Sequence, residues 1–402
     1  MVSRRGNGEG SIYPVPGGYR AFVWVTTPDG IRKRKYVKRK TYEETRQAWR
    51  EIKAQVDKGP VAVNAPTLAT FLLYWLREVV EPNLAPSTYA KYETFVRLYI
   101  GPGLGRRQVD KLTVKHVREW LNALRRACQC CTQGKDVARP KPRCCALGQC
   151  CKGALSDRTI KDVRNVLRAA LSVAVQEELI SKNVAGVLRL PSGQKKTNKW
   201  WSVEEARAFL ESARRDSDPL YVVYVLILVL GLRRGEALGL TWEDIDVDAA
   251  ELTIRWQLQR VSGELLHRRT KTDGSSAVLP LPDICVMALK LRAEQQAEDR
   301  ENADAWIDTP LVITTRYGTP YEPRNFNRHF RLRCQKAGVR YIKVHDTRRT
   351  CASLLVALDV HPRVAMQILR HSQIAITMEI YSEVPNDATR RALKRLGQSL
   401  AE

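Results

Sequence analysis

The sequence predicts a multidomain α+β protein, and three patterns predict it. Near the N-terminus, turn signals at Gly17-Gly18 and Asp29-Gly30 separate stretches in which apolar and polar residues alternate. From residue 64 to 190, apolar residues recur at helical spacing. From 201 onward helical spacing resumes, broken between 252 and 281 by alternating segments. The expected layout is a small three-stranded sheet plus a helix over 1–63 and a helical unit over 64–190 with a Cys-rich insertion at 128–152. A linker over 191–200 leads to a mostly helical unit, 201–402, with a small antiparallel sheet and a C-terminal tail helix.

Charge narrows the partner. Lys and Arg number 67 against 43 Asp and Glu, a net charge of +24 over 402 residues. Such an excess points to a polyanion, with nucleic acid first and a membrane surface as the rival. The longest apolar run, Leu220 to Leu232, is too short to span a bilayer and reads as a buried helix. The opening Met-Val-Ser-Arg-Arg-Gly-Asn-Gly lacks the apolar segment of a secretory signal, so no membrane partner and a cytoplasmic setting are expected. In a reducing compartment the ten Cys do not form a disulfide framework.

In the first segment Tyr19, Ala21, Val23 and Val25 alternate with Arg20, Phe22, Trp24 and Thr26, the period of a strand. The third strand enters a basic run in which Arg32, Lys33, Arg34, Lys35, Lys38 and Arg39 are candidate DNA contacts. Thr41 with Glu44 forms a capping box for a helix to about Lys58, ended by Gly59-Pro60.

The second unit opens at Pro66-Thr67 with Leu68, Phe71, Leu72, Trp75 and Leu76 at helical spacing. Pro86-Ser87-Thr88-Tyr89 starts a second helix with Tyr92, Phe95, Val96 and Tyr99 on one face. Thr113 caps a third, bearing Val117, Trp120, Leu121 and Leu124. Ser156 starts a fourth, with Ile160, Val163, Val166, Leu167, Ala170 and Leu171. Lys91, Arg97, Lys115, Arg118, Arg158, Lys161 and Arg164 fall on the polar faces. Of these Lys91, Lys115, Arg158 and Lys161 are candidate DNA contacts.

The insertion holds Cys128, Cys130, Cys131, Cys144, Cys145, Cys150 and Cys151 among Gly, Pro, Lys and Arg. A polar segment of this kind buries no core, so a structural zinc held by thiolates is one reading and a reduced, thiol-rich loop the other. Taken as a run, the spacing departs from the standard Cys-x-x-Cys pattern, and no His lies in the loop.

After the linker, which carries Lys195 and Lys196 as further DNA contacts, Ser202 with Glu205 caps the first helix of the last unit. The chain then runs Gly231-Leu232-Arg233-Arg234-Gly235-Glu236. Leu252, Ile254, Trp256 and Leu258 alternate as one strand, Ser262-Gly263 turns, and Lys271 follows in a Thr-Lys-Thr phrase before a strand from Ala277 to Leu281. Near the end stands Val344-His345-Asp346-Thr347-Arg348, with His345 and Arg348 on one helical face. His371 follows a second apolar helix, and Tyr381 lies ten residues beyond it. Two imidazoles, a guanidinium and a phenol on short helices suit phosphoryl transfer through a tyrosine nucleophile, which divides one hard step into two. An Arg fork matches phosphate and stays charged.

These residues resemble the signature of the tyrosine recombinases, the phage-integrase family, in the larger form with an N-terminal arm-binding domain. That signature has Gly-Leu-Arg with Glu three residues on, a hairpin Lys, His-x-x-Arg, Leu-Gly-His, and a Tyr nine or ten residues later. Ser156 to Asn183 also follows the family's core-binding phrase. The resemblance implies that Tyr381 attacks a DNA phosphate to form a 3′-phosphotyrosine and that Arg233 and Arg348 clamp the phosphate oxygens. It gives Lys271 the protonation of the leaving 5′-oxygen, His345 and His371 proton transfer or phosphate hydrogen bonds, and Glu236 the support of Arg233. It implies no cofactor for catalysis. The implied partners are double-stranded attachment sites, a homotetramer on DNA, and an accessory DNA-bending or directionality factor. Arg370 stands where the family usually has Gly, which implies an altered turn or a side chain reaching toward DNA. A type IB topoisomerase shares the constellation but is disfavoured by the arm-like segment and tail helix. A non-catalytic DNA-binding regulator would not need Tyr381.

Overall fold

A computed structural model describes residues 12–26, 32–57, 65–190, 200–270, 277–370 and 373–381. The chain divides into two compact units, Met1–Lys195 and Lys196–Glu402. The expected first boundary near residue 63, the linker with Lys195 and Lys196, and the tail helix lie outside the described residues.

The first unit begins with an antiparallel sheet of β1 (Tyr13–Val15), β2 (Gly18–Thr26) and β3 (Arg32–Arg39), followed by α1 (Tyr42–Val56). Thr41 and Glu44 exchange the two expected capping bonds, each 3.3 Å. Because strand side chains alternate between faces, Ala21, Val23, Val25 and Val37 turn toward α1 and are buried. Trp49 fixes the helix by donating to Phe22 O at 3.0 Å.

The helical set follows. The first of its helices, α2 (Leu68–Tyr74), runs on through a wider turn, Trp75–Val80, where Glu81 N–H donates to Leu76 O five residues back. Next, α3 (Pro86–Phe95) continues in the same way through Val96–Ile100. Two long helices, α4 (Val114–Arg126) and α6 (Asp157–Gln176), flank the insertion with its short α5 (Gln129–Thr132), and α7 (Val184–Val187) closes the unit. Leu68, Phe71, Trp75, Val117, Leu121, Ile160, Val163 and Leu167 make one apolar core, as their helical period required. Arg164 departs from expectation. It lies on the core side of α6, 9% exposed, and burial lowers its pKa.

The second unit surrounds α9 (Tyr221–Val229), whose residues from Val222 to Leu228 are all buried, with α8 (Val203–Arg215) before it and α10 (Arg234–Leu238) after it. The expected single strand from 252 to 258 is two. A short sheet orders β4 (Ile245–Asp246), β5 (Glu251–Thr253) and β8 (Val278–Pro280), while β6 (Trp256–Val261) pairs with β7 (Glu264–Arg269) in a separate two-stranded sheet. The chain changes partner at Ile254 and Arg255. Ile254 N–H still donates to Ala277 O at 3.0 Å, whereas Arg255 O accepts from Thr270 N–H at 2.9 Å. Ser262 and Gly263, at φ 50° and 94°, form the tight turn of that hairpin. Among the described residues five helices complete the unit: α11 (Asp283–Glu301), α12 (Pro323–Lys336), α13 (Asp346–Ala357), α14 (Pro362–Leu369) and α15 (Ile374–Tyr381). Trp201, Phe209, Tyr224, Phe326 and Phe330 interlock at its centre.

Candidate active site

The site is built where α9 ends. Gly231 takes φ 59°, and a Cβ there would meet Leu369 Cδ2 at 2.7 Å and Cys351 Sγ at 3.3 Å. Only glycine lets this turn approach α13 and α14 so closely. The approach brings Gly231 O to Arg348, whose Nη1 donates to it at 2.6 Å. Two residues on, Arg233 caps α10. Glu236, in the first turn, accepts Arg233 N–H at 2.9 Å and Arg233 Nη1 at 2.5 Å. The Arg233 side chain remains 41% exposed while Glu236 is 4% exposed, so a buried carboxylate presents a guanidinium at the surface.

Arg348, in the first turn of α13, is 5% exposed, and its buried Nη2 has no hydrogen-bond partner among the described residues. Burial, then Arg233 and Arg370, push its pKa down to about 9. It stays charged at neutral pH, but it is a crowded cation whose second Nη donates to none of the described residues. His345 stands at the N-cap position of the same helix and makes no side-chain capping bond among the described residues. Desolvation and then Arg348 lower its pKa, which favours the neutral imidazole.

Arg370 corrects the sequence reading. The turn is unaltered in kind, since Arg370 adopts the left-handed conformation, φ 51° and ψ 48°, that a glycine would take there. Nor does its side chain extend outward. It is 7% exposed, and Nη2 donates to Glu236 Oε2 at 2.8 Å. Burial alone would raise the Glu236 pKa, but Arg370 and then Arg233 outweigh it and hold the carboxyl below its ordinary value. Sequence reasoning missed this third guanidinium. Its signal was a long cation at a glycine cap following the apolar helix that packs on Gly231.

Thus the structure brings together Arg233, Glu236, Arg348 and His345, and adds Arg370. Tyr381 ends α15 half-buried, with its hydroxyl donating to Val360 O, and desolvation raises its pKa. Lys271 and His371 lie outside the described residues. Arg234 is structural, bonding Asn327 Oδ1 at 2.9 Å on α12.

Two family models match: Phage integrase family over residues 199–387, and Phage integrase, N-terminal SAM-like domain over 67–125. The chain belongs to the phage integrase family. Tyrosine recombinases are DNA breaking and rejoining enzymes that need no cofactor for catalysis, and site-specific recombination is the activity that membership assigns. Among relatives, a tyrosine recombinase XerC-like protein of Caldanaerobacter subterraneus is 27% identical over 79% of each chain. An integrase of Streptomyces ambofaciens is 26% identical over 95% of this chain and 94% of its own. In fold the chain is similar to the Tn1549 transposon integrase, solved in complex with a circular intermediate DNA. The match has a TM-score of 0.63 at 19% identity and covers 83% of this chain and 100% of that one.

The basic candidates separate into two classes. On β2 and β3, the face away from α1 carries Arg32, Arg34, Tyr36 and Lys38 opposite Thr26, Trp24, Phe22 and Arg20. The Arg34 guanidinium lies 4.7 Å from the Trp24 ring centre and 4.8 Å from that of Phe22, and Arg20 lies 4.2 Å from Tyr36. Lys33, Lys35 and Arg39 fall on the opposite face, and Lys35 pairs with Asp110 at 3.9 Å. On the helices, Asp162 engages both Lys91 (3.0 Å) and Arg158 (3.4 Å), and Lys115 meets Glu119 at 3.9 Å. Lys161 is exposed. No helix among the described residues is long and apolar enough to cross a membrane.

Proposed function

We propose that this protein cuts and rejoins double-stranded DNA attachment sites through a 3′-phosphotyrosine on Tyr381, integrating or excising a phage or other mobile element. The observation that carries this reading is the buried Arg348, whose Nη2 has no partner among the described residues, beside an Arg233 held in place by Glu236. Cations crowded this closely are relieved by an anion, and a fork of guanidinium donors fits the oxygens of a phosphodiester. The donors are fixed before the reaction, so they stabilise charge as it develops.

In the step itself, the Tyr381 oxygen bonds to phosphorus as the bond from phosphorus to the 5′-oxygen breaks. His345, kept neutral, takes the phenolic proton. Lys271 gives a proton to the 5′-oxygen, and His371 donates to the phosphate. The free 5′-hydroxyl of a second strand reverses the step. Tyr381 must first leave Val360 O, so the described position is a docked one.

The open aromatic and guanidinium face of the N-terminal sheet supports an arm-site reader, and the helical set a core-site clamp. A tetramer on DNA, an accessory bending or directionality factor and a cytoplasmic setting complete the proposal. It is tested by incubating the protein with a nicked suicide substrate spanning a candidate attachment site. A covalent adduct mapped to one 3′-phosphate and to Tyr381 is expected; an adduct on another residue overturns the assignment.

A further inference from the structure

The insertion between α4 and α6 has no apolar core. Within 128–152 only Gln129, Cys130 and Asp136 are buried, while Val137 and Leu147 are exposed. Asp136 organises it instead, accepting N–H groups of Arg143 (3.0 Å), Cys144 (2.8 Å) and Ala146 (3.1 Å), which holds its pKa down to about 2. That fold-back sets the Cys144-Cys145 pair against Cys128, Cys130 and Cys131.

The sulfurs then meet at a repeated distance. Cys128 lies 3.8 Å from Cys145 and 3.7 Å from Cys151, Cys130 lies 3.8 Å from Cys144, Cys131 3.7 Å from Cys150, and Cys145 3.8 Å from Cys151. A disulfide would bring two sulfurs to about 2 Å. A tetrahedron of thiolates around zinc, with bonds of about 2.3 Å, has edges of about 3.8 Å. Two such groups are present: Cys128, Cys131, Cys145 and Cys150, and Cys130, Cys144, Cys145 and Cys151, each with its sulfurs within 4.8 Å of one another. Cys145 belongs to both. One ion would leave three thiols over, and two separate ions would need eight. The irregular spacing in the sequence is resolved by the doublets: Cys128 and Cys131 do stand as Cys-x-x-Cys, the doublets 130/131 and 150/151 each give one Cys to each group, and Cys144 joins one group while Cys145 serves both.

We propose that the insertion is a binuclear zinc site, in which two Zn²⁺ ions are each held by four thiolates and the Cys145 sulfur bridges them. Binding displaces the protons of all seven thiols. The resulting cluster carries a net charge of three minus, which Lys135, Arg139, Lys141, Arg143 and Lys152 of the same segment offset. Lys152 N–H also donates to Cys150 Sγ at 3.4 Å, a bond suited to a thiolate. An all-sulfur tetrahedral pair of sites selects zinc over oxygen-seeking cations.

The test is native mass spectrometry with elemental analysis of the full chain, purified without a His tag under reducing conditions. Two zinc ions per chain are expected, with the seven insertion thiols unreactive until a chelator is added. One ion, none, or iron or copper in their place would overturn the proposal. NMR of the cadmium-substituted protein should give two metal signals split by mutual coupling through the shared sulfur, and two uncoupled signals would remove the bridge. Cys145→Ser should weaken retention of both ions against a competing chelator, Cys150→Ser that of one. Should Cys145→Ser not fold, the wild-type stoichiometry and coupling decide alone.

Discussion

Glu236 and Arg370 form a buried ion pair at 2.8 Å, and the same carboxylate holds Arg233. One acid thus joins the turn after α9 to the cap of α14. A glycine at 370 would satisfy the left-handed backbone but leave Glu236 with a single cationic partner. Arg370 accepts the conformational cost and supplies the second.

Opposing terms follow for substitutions at 370. Removing one member of a buried pair costs about 3 kcal/mol, whereas a left-handed residue with a Cβ costs about 1 kcal/mol that glycine avoids. Arg370→Met should therefore destabilise the region by the larger amount, and Arg370→Gly by about 1 kcal/mol less. Amide hydrogen exchange in α10 and α14 of the full chain reads the local opening free energy. Equal protection in wild type and Arg370→Met would show that the pair contributes nothing.

The pair also sets an acid limit. Because Arg370 and Arg233 hold the Glu236 pKa below its ordinary value despite burial, its stabilisation is complete above about pH 4.3 and is lost as pH falls through the depressed value. In Arg370→Gly that loss should begin at higher pH, measured by the same exchange across an acid series.

Much of this was legible in the sequence because it rests on local rules. The caps at Thr41, Thr113, Ser156 and Ser202 and the helical stripes of the first unit follow from side-chain period and hydrogen-bonding type. Arg233 and Glu236 were legible as neighbours on one turn. The Arg370–Glu236 pair was not, since 134 residues separate its members and only the Gly231 approach brings them together. The same limit hid the Lys91–Asp162 pair, 71 residues apart, and the division of seven thiols into two groups, which depends on a fold-back organised by Asp136. Arg164 was misplaced for a different reason: a helical wheel treats a charge as exposed, and here the long stem lies against the core.

Chemistry should separate from binding at Tyr381 if it is the nucleophile. Tyr381→Phe then removes the attacking oxygen and the hydrogen bond to Val360 O, a loss of about 1 kcal/mol. Attachment-site binding in a gel-shift assay should be retained and the covalent adduct absent. An adduct that persists would assign the nucleophile elsewhere.

The guanidinium pair should dominate the rate. Arg233→Ala or Arg348→Ala should each slow single-turnover cleavage by about 10² to 10³ if each supplies a donor fixed on the developing charge. Chelation should leave the wild-type rate on a core site unchanged even where it strips metal from the insertion. Rates within threefold of wild type would exclude the clamp.

With His345 as the proposed base, the reaction should show an acid limb. Desolvation and Arg348 lower its pKa, so the neutral base is present at neutral pH and is lost only below the ordinary imidazole value of about 6.5. Cleavage should fall as pH drops through that lowered value, and His345→Gln should be slower and lack the limb. An unchanged profile in the variant would place the base elsewhere.

Arm-site binding should follow the open face of the N-terminal sheet. Arg34 lies against both Trp24 and Phe22, so its stem and ring partners hold the guanidinium outward, while Lys33, Lys35 and Arg39 fall on the side facing α1. If Arg34 meets a phosphate, Arg34→Ala should weaken arm-site binding and reduce the salt slope by about 1, with core-site cleavage unaffected. Lys33→Ala, on the other face, should change the slope less. Deleting residues 1–63 should spare core-site cleavage and remove recombination between full attachment sites. Normal integration by the truncated chain, or equal effects from Arg34 and Lys33, would place arm recognition elsewhere in the protein.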